Sequence, residues 1–183
     1  ETWIEIPTAE IVRTLLANYG YPDAPESDLR QALAGFYSVS QQHWMLEGDA
    51  IPVIKELKQT GYRLGIISNA SDTADVLWLL ANRGLGGFFE QVWISSEIGL
   101  CKPHPEIFQR AIEYFQTPAS QIAFVGDTLT ADILGSATAG MQSIWISRRA
   151  ARPENHMQKN FIQPAYQIAS LAELPFVLKT VPS

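Results

Sequence analysis

Along the 183 residues, the spacing of apolar and polar positions changes character near residue 48. Before that point it is helical. "AEIVRTLLANYG" sets Ile11, Leu15 and Leu16 on one face, with Thr8 as the N-cap and Gly20 as the stop. "YPDAP" makes a turn, and "ESDLRQALAGFYSVSQQHWML" supplies a second, longer helix. Ahead of both, "TWIEI" alternates as a strand does, but it is short and Pro7 ends it.

From Gly48 onward, helical and extended patterns alternate. "DAIPVIKELKQTG" predicts a helix closed by Gly61, and "YRLGIIS" a short apolar strand ending in Ser68. "SDTADVLWLLANRG" is a helix capped by Ser71 or Asp72. "QVWISS", "IAFVG" and "QSIWIS" are strands, separated by the helices "PEIFQRAIEYF" and "TADILGSATAG". "YQIASLAELPFVL" adds an edge strand and a closing helix. Strands alternating with helices imply βαβ units. The expected fold class is therefore α/β, a Rossmann-like parallel sheet flanked by helices, with residues 48–183 as its core.

Composition narrows the functional classes. With 46% hydrophobic and 17% charged residues the chain can bury a core. A net charge of −6 without a Lys/Arg cluster argues against nucleic-acid binding. No apolar run approaches the roughly 20 residues that span a bilayer. A single cysteine, Cys101, excludes an internal disulfide and makes a cytoplasmic setting the expectation. It adjoins Lys102, a neighbour able to lower its pKa, yet nothing else marks a nucleophile, and it reads as a small loop residue. His104 reads as part of the turn in "KPHPEIF", and Trp44, Trp78, Trp93 and Trp145 as core or cap-contact residues.

Parallel sheets bind ligands beyond the carboxyl ends of their strands. Three successive strands here end in chemically useful residues. Ser68 and Asn69 follow the first, Lys102 follows the second, and Gly126, Asp127 and Asp132 follow the third. Each has an ordinary reading alone: Asp127 as a helix cap, Asp132 as a favourable charge near a helix start, Ser68-Asn69 as turn chemistry. Together they suit phosphoryl transfer. Carboxylates hold Mg²⁺, Lys is a compact charge for phosphoryl oxygens, and Ser and backbone N–H groups are donors. Gly126 lets the backbone turn closely at the site.

"GIISNAS", "SSEIGLCKPHPEIF" and "FVGDTLTADILGSATAGM" resemble the second, third and fourth motifs of the haloacid dehalogenase (HAD) superfamily, in its phosphatase-like branch with a small helical cap. The resemblance implies a partial cap at 1–47. It also implies that Ser68 and Asn69 bind the substrate phosphoryl group, and that Lys102 does so while stabilising the nucleophile. Asp127 would ligate Mg²⁺, and Asp132 would support that metal and Lys102. The implied activity is Mg²⁺-dependent hydrolysis of small phosphorylated metabolites through an aspartyl phosphate, by a monomer or dimer.

The family's first motif, D-x-D-G-T, is missing from the chain; "IEIPT", with Glu5, is only a distant approximation. The expectation is that the central first strand and its nucleophilic Asp lie upstream of Glu1, leaving a slot between 63–68 and 122–126. Two alternatives remain: a catalytically inactive binding or regulatory protein, and a 2-haloacid dehalogenase, for which the Asp127/Asp132 pair would have no evident task.

Overall fold

A computed structural model describes residues 3–181; Thr2, in the alternating N-terminal run, lies outside them. Helix α1 spans Thr8–Asn18 and α2 spans Glu26–His43. Proline sets both starts: Pro7 and Pro25 occupy the cap positions. Thr8 is thus a first helical residue rather than the expected cap, and its hydroxyl meets that of Tyr37 at 2.7 Å. The inward side of α1 carries the half-buried Val12 and Leu16, whereas Ile11 and Leu15 face solvent. Leu29 and Leu33 of α2 are buried.

Beyond them come α3 (Ala50–Gln59), β1 (Gly65–Ser68), α4 (Thr73–Asn82), β2 (Gln91–Ile94) and the one-turn α5 (Ser95–Ile98). Then follow α6 (Pro105–Phe115), β3 (Ala123–Gly126), a π-helical turn at Leu129–Leu134, and α7 (Gly135–Thr138). β4 (Gln142–Ile146), α8 (Pro153–Gln158), β5 (Tyr166–Ile168) and α9 (Leu174–Leu178) complete the order. Asp72 caps α4, its carboxylate accepting from the Asp75 N–H. The alternating N-terminal segment makes one antiparallel bridge, Ile4 to Leu100. The sequence pattern missed α8, whose "PENHMQ" has no apolar stripe.

All strand pairing within the sheets is parallel. β1 pairs with β2, and β4 lies between β3 and β5. β1 and β3 do not pair, so the sheet consists of two halves. Between them lies a cavity of ≈ 1020 Å³, lined on one side by Gly65, Ile66 and Ile67 and on the other by Phe124, Val125 and Gly126. The slot expected between these strands is present.

Helices cover both faces. Val53 and Leu57 of α3 pack with Ile144, Ile168 and Leu174 on one face. On the other, Leu129, Ile133, Trp145 and Ile162 form a second cluster. Ile144 and Trp145 are adjacent, so β4 alternates between the two clusters, as a strand inside a covered sheet must. Trp93, Ile107, Phe108, Ala111 and Met141 fill the space between β2 and α6. Of the four tryptophans expected in the core or against the cap, Trp93 and Trp145 are buried, whereas Trp44 and Trp78 are exposed. No described helix is long and apolar enough to cross a membrane.

Candidate active site

The site is built from the segments that follow β1, β2 and β3. Asn69, just past β1, donates its amide N–H to the Lys102 carbonyl at 3.0 Å, and its amide oxygen accepts the Lys102 N–H at 2.8 Å. Both ends of a side chain expected to face substrate therefore clasp the backbone of Lys102. From that fixed point the Lys102 ammonium donates to the Ile67 carbonyl at 2.9 Å and to Asp132 Oδ1 at 2.7 Å. It stands 5.4 Å from the centre of the Phe124 ring. Ser68 directly follows Ile67, at the carboxyl end of β1.

Asp132 reaches Lys102 because of two local features. The helix after β3 opens as a π turn, in which Ile133 N–H reaches the Thr128 carbonyl five residues back, at 3.3 Å. A regular helix was expected there; widened turns of this kind recur at functional sites. The second feature is Gly126. A Cβ on it would lie 2.2 Å from the Asp132 Cβ. Its lack of a side chain makes room for Asp132. The second carboxylate oxygen, Oδ2, accepts the N–H groups of Asp127 (3.0 Å) and Thr128 (2.9 Å). Asp132 is thus spent on Lys102 and on the loop that carries Asp127, and its side chain is only 6% exposed.

Asp127 is more open, at 29%. Its Oδ2 accepts from Arg149 Nη1 at 2.9 Å, and its Oδ1 from the Thr128 hydroxyl at 3.3 Å. Its main-chain carbonyl accepts from Asn155 Nδ2 at 2.8 Å and Trp145 Nε1 at 3.3 Å. Asn155 is fully buried, and its oxygen accepts the Leu129 N–H at 2.9 Å. Sequence reasoning missed both Arg149 and Asn155. Arg149 follows β4, so an inspection of that strand's end would have raised it. Asn155 stands in a polar run with no signal.

Lys102, Asp127, Asp132 and Arg149 all line the cavity between the half-sheets. The Cys101 thiol is pushed up, first by burial and then by the charge of Glu5, and is not lowered by its neighbour Lys102. His104 caps α6, its Nδ1 accepting the Glu106 N–H at 3.2 Å.

The donor set decides how a cation would fit. Asp127 offers a hard, partly exposed oxygen that already faces a positive charge, the Arg149 guanidinium. Asp132 is consumed by three donors. Among the described residues, no three His, Cys, Asp or Glu side chains gather closely enough to enclose a metal. An oxygen-seeking cation that keeps most of its waters suits Asp127 as a single ligand.

Known proteins are similar to this chain. Over 93 residues the chain is 39% identical to the glyceraldehyde 3-phosphate phosphatase of Pyrococcus abyssi, covering 51% of this chain and 39% of that enzyme. Over 174 residues it is 32% identical to the HAD-hydrolase YfnB of Bacillus subtilis, covering 92% of this chain and 69% of YfnB. The crystal structure of YfnB bound to magnesium superposes with a TM-score of 0.65 at 29% identity, over 92% of this chain and 69% of that one. The chain spans less than half the length of the glyceraldehyde 3-phosphate phosphatases it matches. Residues 7–140 fit the haloacid dehalogenase-like hydrolase family, and the chain belongs to that family.

Proposed function

We propose that the protein hydrolyses small phosphorylated metabolites with Mg²⁺, through an aspartyl phosphate on a carboxylate that these 183 residues do not carry. The observation that supports it best is the buried Lys102–Asp132 pair beside Asp127, facing the cavity between β1 and β3. The names of the matched phosphatases point to the same class of ester. On this reading residues 1–47 are the remnant of a cap over the site, and the nucleophile arrives on a strand between the half-sheets.

Each residue then has a task. Lys102, fixed by Asn69 at its backbone and by Asp132 at its tip, presents positive charge to the attacking carboxylate and to phosphoryl oxygens. Preorganised charge of this kind needs no reorganisation when the reaction occurs. Ser68 and the N–H groups beyond β1 donate to the remaining oxygens. Asp127 holds Mg²⁺, which when bound neutralises phosphate charge. Asp132 serves as the positioning residue for Lys102 and the Asp127 loop. Its oxygens are engaged by three donors, so it supports the metal site through Lys102 and that loop.

The test is release of inorganic phosphate from sugar phosphates, nucleotides and phosphoglycolate, with and without EDTA. The protein is joined at its N-terminus to a strand bearing D-x-D-G-T. Turnover that EDTA stops, and that Lys102→Ala lowers by about 10²–10³, supports the proposal. Inactivity on every ester favours a second reading, a non-catalytic binding protein, which the missing D-x-D-G-T run also favours.

A further inference from the structure

We infer that Arg149 is a built-in counter-ion of Asp127, which it holds until a divalent cation takes its place. The inference rests on the metal-dependent reading above, but concerns how the chain keeps its metal-binding carboxylate before the metal arrives.

The two ion pairs of the site differ in kind. Lys102 and Asp132 are 11% and 6% exposed, and Lys102 has a second acceptor in Ile67, so that pair is fixed. Arg149 and Asp127 are 48% and 29% exposed and meet at 2.9 Å through one guanidinium nitrogen. A pair this open is weak and exchanges readily. Its geometry is nevertheless set in advance. The Asn155 amide donates to the main-chain carbonyls of both residues, to Asp127 at 2.8 Å and to Arg149 at 2.9 Å. One buried side chain thus pins the two backbones side by side, with the guanidinium over the carboxylate.

Charge explains the use. Asp127 lies next to the carboxylate of Asp132, whose one positive partner among the described residues is Lys102. Without Arg149 the cluster would carry an uncompensated negative charge. With it the cluster is neutral, and the carboxylate is oriented. An incoming cation that takes Asp127 releases the guanidinium, which also lines the cavity.

The test is Mn²⁺ titration of the full chain by calorimetry and by loss of the free-ion electron-paramagnetic signal. Folding of each variant is checked by circular dichroism. Arg149→Gln should tighten Mn²⁺ binding about two- to fivefold, the worth of an exposed pair, and Arg149→Lys should fall between it and the parent. Arg152→Gln removes the same charge from an arginine that faces Glu154 at 3.9 Å, and should change little. Asp127→Asn should abolish binding. If the parent binds Mn²⁺ and Arg149→Gln binds no tighter, the counter-ion role is overturned while the metal reading stands. Equal tightening by Arg152→Gln also overturns it, because general charge would then suffice. If neither parent nor Arg149→Gln takes up Mn²⁺, both readings fall. Binding by Arg149→Gln alone supports the inference in its strongest form.

Discussion

The Lys102 ammonium lies 2.7 Å from Asp132 Oδ1 and 2.9 Å from the Ile67 carbonyl, and so ties the β3 half of the sheet to the β1 half. Among the described residues no strand pairing joins those halves, which leaves this side chain as a bridge across the cavity. Removing one member of a buried pair strands the other charge, at a cost of about 3–5 kcal/mol. Asp132→Ala should lose about that much in urea unfolding, since it also orphans the Asp127 and Thr128 N–H groups. A loss below about 1 kcal/mol, the range of an exposed pair, would mean that water already screens the bridge.

Gly126→Ala tests the packing beneath that pair. The added Cβ would stand 2.2 Å from the Asp132 Cβ and 2.5 Å from its Oδ2, so the carboxylate must move. Overpacking of this kind costs about 1–3 kcal/mol. Gly35→Ala is the control: it lies within α2 with nothing within 4 Å, and should gain about 0.5–1 kcal/mol. Similar melting temperatures for the two variants would show that the site absorbs the methyl group.

These features were unequally legible in the sequence. The alternation of strands and helices was plain because each strand after Gly61 is a short apolar run between turn residues. Lys102, Asp127 and Asp132 stood out because each follows a strand end. What their side chains do was not legible. Asn69 and Asp132 both looked like ligands, yet both are taken up in holding other site residues, which depends on distances between segments far apart in the chain. Asn155 gave no signal, because its three partners come from the Asp127 loop and from Arg149. Thr8 was misread because Thr is a common cap residue, whereas Pro7 holds the cap position here and Thr8 is the first residue of the helix.

A pH dependence follows from Arg148. It pairs with Glu47 and Asp49, and its hydrogen bond to Asp49 holds that carboxyl below the usual carboxylate range. A carboxyl lowered in the folded state adds stability above its unfolded pKa and loses it as the pH falls through the folded value. The contribution should therefore be full at neutral pH and fade below about pH 4. Arg148→Gln should cost up to about 1 kcal/mol at pH 7 and much less near pH 3. A cost that does not change across this range would show that Arg148 acts through packing of its stem.

Among the described residues β1 pairs only with β2 and β3 only with β4, so their facing edges have no strand beside them. Inserting one strand needs a gap of about 10 Å, twice the inter-strand spacing. On the proposed reading the occupant runs parallel to both neighbours, with helices above and below it. Such strands are apolar on both faces. An acid just beyond its last residue would emerge beside Lys102. A peptide of five apolar β-branched residues followed by D-x-D-G-T, added to the full chain, should raise its melting temperature progressively with peptide concentration. It should also slow amide exchange at 65–67 and 123–125, where unpaired edges open easily. A peptide with alternate residues changed to Glu should do neither. Amides at those positions already as protected as those of β4, with no peptide present, would show that the edges need no partner.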